Sequence, residues 1–150
     1  MEETHKELKI QFLQYQERYV YYLLALTVSA IGFSIYRTTG VVLKLTQIPL
    51  GIAILSWGFS IYCGLTFIKY VLSNIYSSIS FIDVQMGRYP DIGNVTWKQQ
   101  AAYDGINQAI LSNSEKSSLY FKWQGRLFYF GIFAFIIWHI IEMYYQSNII

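Results

Sequence analysis

Two ionisable side chains, His139 and Glu142, lie one helical turn apart inside the last apolar stretch of the chain. Ionisable groups inside a membrane could relay a proton or bind a metal ion. Both residues stand close to the end of the apolar stretch, beside Tyr144 and Tyr145, where polar side-chain tips reach water. Two ligands are also fewer than a protein metal site normally has. We therefore favour an interfacial anchor over a proton relay, and expect no metal site.

Two sets of small residues recur about one helical turn apart within apolar stretches. They are Ser56, Ser60 and Gly64 in the second stretch, and Ala25, Ser29 and Gly32 in the first. In lipid, small residues let helices approach closely, and hydroxyls bond across the contact. We favour helix packing, within or between subunits. The alternative is that the hydroxyls of Ser56 and Ser60 line a narrow polar path in an oligomer.

A group of basic residues follows the second apolar stretch and could contact an anion. They are Arg88, Lys98, Lys116, Lys122 and Arg126. Such side chains bind phosphate-bearing signals or anionic lipid headgroups, although they also mark the cytoplasmic side of a membrane protein without any ligand. The sequence contains no P-loop, no GxGxxG motif and no CxxC motif. We expect no catalytic residue, no cofactor and no nucleic-acid partner.

The composition is that of a membrane protein. Of the 150 residues, 54% are hydrophobic and only 13% are charged, and the apolar residues are grouped into long runs. Such values are unusual for a soluble domain of this length. The net charge of +2 is too small to indicate nucleic-acid binding. Cys63 is the only cysteine and cannot form a disulfide within the chain.

The sequence predicts an all-α integral membrane protein with three transmembrane helices. The second and third of these helices extend into a cytoplasmic helical hairpin, or stalk, and an amphipathic helix precedes the first. The predicted segments are an amphipathic N-terminal helix at 1–18, transmembrane helices at 19–36, 48–68 and 127–145, and a cytoplasmic stalk at 69–126.

One apolar stripe runs along the second helix from inside the apolar stretch into the polar segment that follows. Its members alternate at steps of four and three, and they are Ile61, Leu65, Ile68, Leu72, Ile75, Ile79, Ile82 and Met86. This spacing is that of a coiled-coil seam. A stripe that leaves the membrane needs a partner to cover it. We expect the part from Leu72 to Met86 to contact further copies of the chain or a cytoplasmic protein.

Turn residues divide the predicted stalk. Gly87–Asn94 contains two glycines and a proline and predicts a turn. Thr96 and Gln99 form a capping box for a helix over 97–111. Ser112-Asn113-Ser114 predicts an interruption before the helix that leads into the last transmembrane segment.

The distribution of basic residues predicts the orientation. With three membrane crossings, nine basic residues share the side of the N-terminus and the stalk, whereas only Arg37 and Lys44 lie on the other side. Basic residues concentrate on the cytoplasmic side. The expected location is therefore the inner (plasma) membrane, with a cytoplasmic N-terminus and the C-terminus outside.

Three functions are compatible with this architecture. The first is an oligomeric, channel-like or membrane-perturbing effector controlled by its stalk, which a small anionic signal could bind. The layout resembles that of the small multi-span effectors of bacterial anti-phage systems, a resemblance that involves no motif. The second is a non-conducting anchor whose stalk docks a cytoplasmic protein. The third, which we favour least, is a lipid- or proton-handling enzyme or transporter that uses His139 and Glu142.

Overall fold

The computed structural model describes residues 2–40, 44–88 and 96–147, and within these ranges it is helical without strands. The helices are α1 (Glu2–Thr38), α2 (Ile48–Gln85) and α3 (Thr96–Ser147), with a short 3-10 turn at Leu45–Gln47 before α2. The all-helical class predicted from the sequence is confirmed.

Each of the three helices contains a segment that is long and apolar enough to cross a membrane. These segments lie at Ile10–Thr38, Leu45–Gln85 and Trp97–Ser147, among the residues described. The predicted transmembrane segments at 19–36, 48–68 and 127–145 each lie inside one of them.

Helix α2 continues without a break past the apolar stretch and ends in a left-handed glycine cap. Gly87 has φ +67°, which favours glycine. The amide of Gly87 donates to the carbonyl of Val84 at 3.1 Å, and the amide of Arg88 donates to that of Asp83 at 3.0 Å. This pair of bonds is a Schellman motif. The predicted turn therefore starts at Gly87, while its remainder from Tyr89 to Asn94 lies outside the described residues, as does the side chain of Thr96 with its predicted capping box.

The predicted interruption at Ser112-Asn113-Ser114 is wrong, because α3 is a single helix from Thr96 to Ser147. Serine and asparagine lower helix propensity by only a fraction of a kcal/mol each. In exchange, Asn113 Nδ2 donates to Ser73 Oγ of α2 at 2.9 Å, and Ser114 Oγ accepts from Asn74 Nδ2 at 3.1 Å. The polar residues thus connect two helices instead of ending one.

The chain forms two compact units, and the first comprises Met1–Gly64 and Phe121–Ile150. Its apolar core is built from Leu23 of α1, Ala53 and Trp57 of α2, and Phe128 and Ala134 of α3. All three helices therefore contribute to one core.

The second unit, Leu65–Tyr120, contains the second half of α2 and the first half of α3. Tyr70 stacks on Tyr120 with ring centroids 5.8 Å apart, and Phe81 contacts Tyr103 at 4.9 Å. The later α2 residue of these two pairs, Phe81, contacts the earlier α3 residue, Tyr103. The two segments therefore pack antiparallel.

Candidate functional site

A polar contact at Gln124 joins all three helices of the first unit. The Gln124 side chain is fully buried, and its Nε2 donates to the carbonyl of Val20 on α1 at 3.4 Å. From α2, Ser60 Oγ donates to the carbonyl of Gln124 at 2.9 Å. Gln124 Oε1 has no hydrogen-bond partner among the described residues. The side chain of Gln124 thus contacts the backbone of α1, and the backbone carbonyl of Gln124 accepts a hydrogen bond from α2.

Gly64 makes this contact possible. A Cβ atom added to Gly64 would lie 2.6 Å from Gln124 Nε2 and 2.9 Å from Leu24 Cδ2. Real Cβ atoms essentially never approach other atoms so closely. The absence of a side chain at Gly64 therefore leaves room for the side-chain amide of Gln124.

A second close approach lies one to two turns along the same helices. Ser56 Oγ donates to the carbonyl of Leu127 at 2.8 Å, and Trp57 Nε1 donates to that of Phe128 at 3.3 Å. A Cβ atom at Gly131 would collide with the Trp57 indole. In lipid, such hydroxyl and indole bonds to a neighbouring helix stabilise packing where apolar surface alone provides little driving force.

The predicted face of Ser56, Ser60 and Gly64 thus packs against α3 of the same chain. Ser56 is 6% exposed and Ser60 is fully buried, and each hydroxyl donates to an α3 carbonyl. Within the single chain, both hydroxyls are therefore directed at the backbone of α3.

The other predicted small-residue face, Ala25, Ser29 and Gly32, is exposed on α1. Ser29 Oγ donates to the carbonyl of Ala25, one turn earlier in the same helix, at 2.8 Å. A Cβ atom at Gly32 would meet no atom within 4 Å. The opposite side of α1 is the one that packs, through Val20 and Leu23. This face of α1 therefore remains available for contacts outside the chain.

The predicted seam from Leu72 to Met86 is exposed in the second unit. Its five side chains, Leu72, Ile75, Ile79, Ile82 and Met86, are between 47% and 61% exposed. The face of α2 that contacts α3 carries Tyr70, Asn74 and Phe81 instead. The most apolar stripe of this segment is therefore left uncovered by α3. We refer to these five residues as the α2 stripe.

The five basic residues predicted to contact an anion each have different neighbours in the structure. Arg88 forms an ion pair with Asp83 at 3.2 Å. The charged groups of Lys98, Lys116 and Arg126 lie 5.5 to 5.8 Å from aromatic rings of their own unit, and Lys122 is exposed. Cation–π contacts of this kind orient a basic side chain without removing it from water.

His139 is exposed and Glu142 is partly buried near the end of α3. Among the residues that the structure describes, no group of three or more His, Cys, Asp or Glu side chains could hold a metal ion. The exposure of His139 is compatible with an interfacial position, the interpretation favoured from the sequence.

Sequence reasoning missed Gln124, Trp57 and Gly131. The available signal was the unusual placement of a glutamine next to the start of an apolar run, followed seven residues later by Gly131. No protein-family model, curated protein or solved structure matches the chain.

Proposed function

We propose that the chain is a subunit of a homo-oligomeric protein of the inner (plasma) membrane, with α1, α2 and α3 each crossing the bilayer once. Three helices of sufficient length and apolarity support this assignment. The excess of basic residues around the Leu65–Tyr120 unit and the N-terminus supports a cytoplasmic location for both, with the C-terminus outside.

The observation that carries the oligomer is the exposed α2 stripe. Half-exposed isoleucine and leucine side chains in water are unfavourable, and burying each one contributes roughly 1–2 kcal/mol. The stripe keeps coiled-coil spacing, which suits pairing with an identical stripe on a parallel helix. Copies inserted in one membrane share one orientation, so their α2 helices run parallel. A second copy is therefore the partner that fits this geometry.

The function we propose is that of a channel-like or membrane-perturbing effector, as the layout of small anti-phage effectors implies. Helix α2 carries both the stripe and the contacts of Ser56, Ser60 and Gly64 with α3. A change in the assembly of the stripe would therefore alter the packing of α2 in the bilayer. The exposed face of Ala25, Ser29 and Gly32 would supply contacts between subunits at membrane depth.

A non-conducting anchor is the second candidate, and one observation favours it. The hydroxyls of Ser56 and Ser60 are buried against α3, which leaves them unavailable as the lining of a polar path. In this alternative, the α2 stripe docks a cytoplasmic protein, and the membrane stays sealed.

Dye release from liposomes separates the two functions. We expect the purified full chain to release an encapsulated fluorophore, and Ile79→Asp to slow the release at least about tenfold because a charge within the stripe opposes its burial. Ser78→Asp places the same charge on an adjacent exposed position off the stripe and serves as the control. Wild-type protein that is fully inserted yet releases no dye at any protein density would contradict the effector and favour the anchor.

A further inference from the structure

An aromatic groove of about 580 Å³ lies between α1 and α3 in the first unit. The residues that line it are five aromatic residues and two polar ones, namely Phe12, Tyr15, Tyr19, Tyr22 and Phe121, with Gln16 and Arg18. The rings of Tyr19 and Phe121 lie 5.7 Å apart, so both helices contribute to the groove. We refer to this feature as the aromatic groove.

The groove combines a large apolar surface with one permanent positive charge. Tyrosine rings present an apolar body and a polar hydroxyl, which suits the boundary between lipid tails and headgroups. The guanidinium of Arg18 is always charged and can donate two parallel hydrogen bonds to a phosphate. A ligand that fits both parts has an apolar chain attached to an anionic phosphate.

Arg18 is the one charged residue among those that line the groove, which favours an anionic ligand. Lys122 directly follows Phe121 and is exposed, and Arg126 lies above the ring of Trp123 one turn later. The nearest acidic residue in sequence, Glu17, does not line the groove. Arg18 thus lines the groove itself, and the exposed basic residues of α3 follow Phe121 in the sequence.

We propose that the aromatic groove binds an anionic phospholipid of the cytoplasmic leaflet, with its phosphate on Arg18 and an acyl chain along the aromatic rings. Tyr19 begins the first predicted transmembrane segment, and Phe121 lies shortly before the third, which places the groove at headgroup depth. This inference rests on the proposed membrane location and does not depend on channel activity.

Native mass spectrometry of the detergent-solubilised full chain tests the site. We expect the chain to retain phosphatidylglycerol at least about fivefold more than phosphatidylcholine with the same acyl chains. Arg18→Gln should lower this preference about fivefold, the effect of one basic side chain near an anionic surface. Arg18→Lys should keep most of it. Arg37→Gln, at the other end of α1, removes an exposed charge outside the groove and should leave the preference unchanged.

A second variant tests the apolar part of the groove. Tyr15 is 69% exposed, so Tyr15→Ala should fold normally. It should lower the retention of both lipids without changing the ratio between them, because it removes a ring and leaves Arg18 in place.

Three results would overturn the lipid site. They are equal retention of the two lipids, an equal loss in Arg18→Gln and Arg37→Gln, and displacement of the lipid by millimolar inorganic phosphate. Extraction of the chain from vesicles by alkaline carbonate would instead contradict the membrane location itself. A chain that resists extraction but shows no preference for phosphatidylglycerol would overturn the lipid site alone.

Discussion

Gly64→Ala is expected to lower the free energy of unfolding by about 1–3 kcal/mol, whereas Gly58→Ala should leave it unchanged or raise it by up to about 1 kcal/mol through better helix propensity. The new methyl group at Gly64 would lie 2.6 Å from Gln124 Nε2, and Gln124 is fully buried with its amide bonded to the carbonyl of Val20. The amide therefore cannot move away without breaking the three-helix contact. Gly58 lies on the same helix, and a Cβ atom there would meet nothing within 4 Å.

Denaturant titration of the full chain in detergent, followed by circular dichroism, measures the difference between the two variants. Both substitutions improve helix propensity by the same amount, so the comparison cancels that contribution. Equal effects of the two alanines, or a more stable Gly64→Ala variant, would contradict the packing described at Gln124.

Ile79→Asp is expected to weaken self-association at least about a hundredfold. Ile79 lies in the middle of the α2 stripe and is 52% exposed in the single chain. When a second copy covers the stripe, an aspartate at this position is buried without a partner, which costs about 3–5 kcal/mol. The fold of the single chain should be preserved, because the stripe faces away from α3.

The particle mass in lipid nanodiscs, measured over a range of protein-to-disc ratios, gives the association constant. Ser78→Asp carries the same charge on the adjacent exposed position and should stay within about threefold of the wild type. A wild-type chain that remains a monomer at the highest ratio, or equal weakening by both aspartates, would contradict association through the stripe.

The helices themselves were largely predictable from the sequence. The apolar runs and the glycine at position 87 placed the end of α2 within one residue of its observed end at Gln85. Such local signals depend on neighbouring residues only. The Ser112-Asn113-Ser114 segment shows their limit, since its polar side chains are used by Ser73 and Asn74, which lie 40 residues away along the chain.

The contact at Gln124 was also not predictable, because it joins residues that are far apart in the sequence. Its partners Ser60 and Val20 lie 64 and 104 residues away in sequence, and no spacing rule connects them. The small-residue pattern around Ser60 identified one side of the contact and left open whether the other side was α3 or another subunit. Only the folded chain distinguishes the two.

The α2 stripe was visible in the sequence, but the face that packs on α3 was not. An apolar stripe is the expected contact surface of a helix, yet Asn74 and Phe81 occupy the α3 contact while Ile79 remains exposed. Asparagine and serine side chains on both helices complement one another there, a pairwise property that a single helix does not reveal.

Disulfide crosslinking in membranes tests the central claim, that a second copy covers the α2 stripe, most directly. Cys63, the only native cysteine, would first be replaced by alanine, and then a single cysteine introduced at Ile75, Ile79 or Ser78. A disulfide requires Cα atoms about 4.4–6.8 Å apart, which parallel stripes in contact provide. We predict crosslinked pairs for Ile75→Cys and Ile79→Cys, and monomers for Ser78→Cys. Uniform crosslinking at all three positions, or monomers at both stripe positions, would contradict the claim.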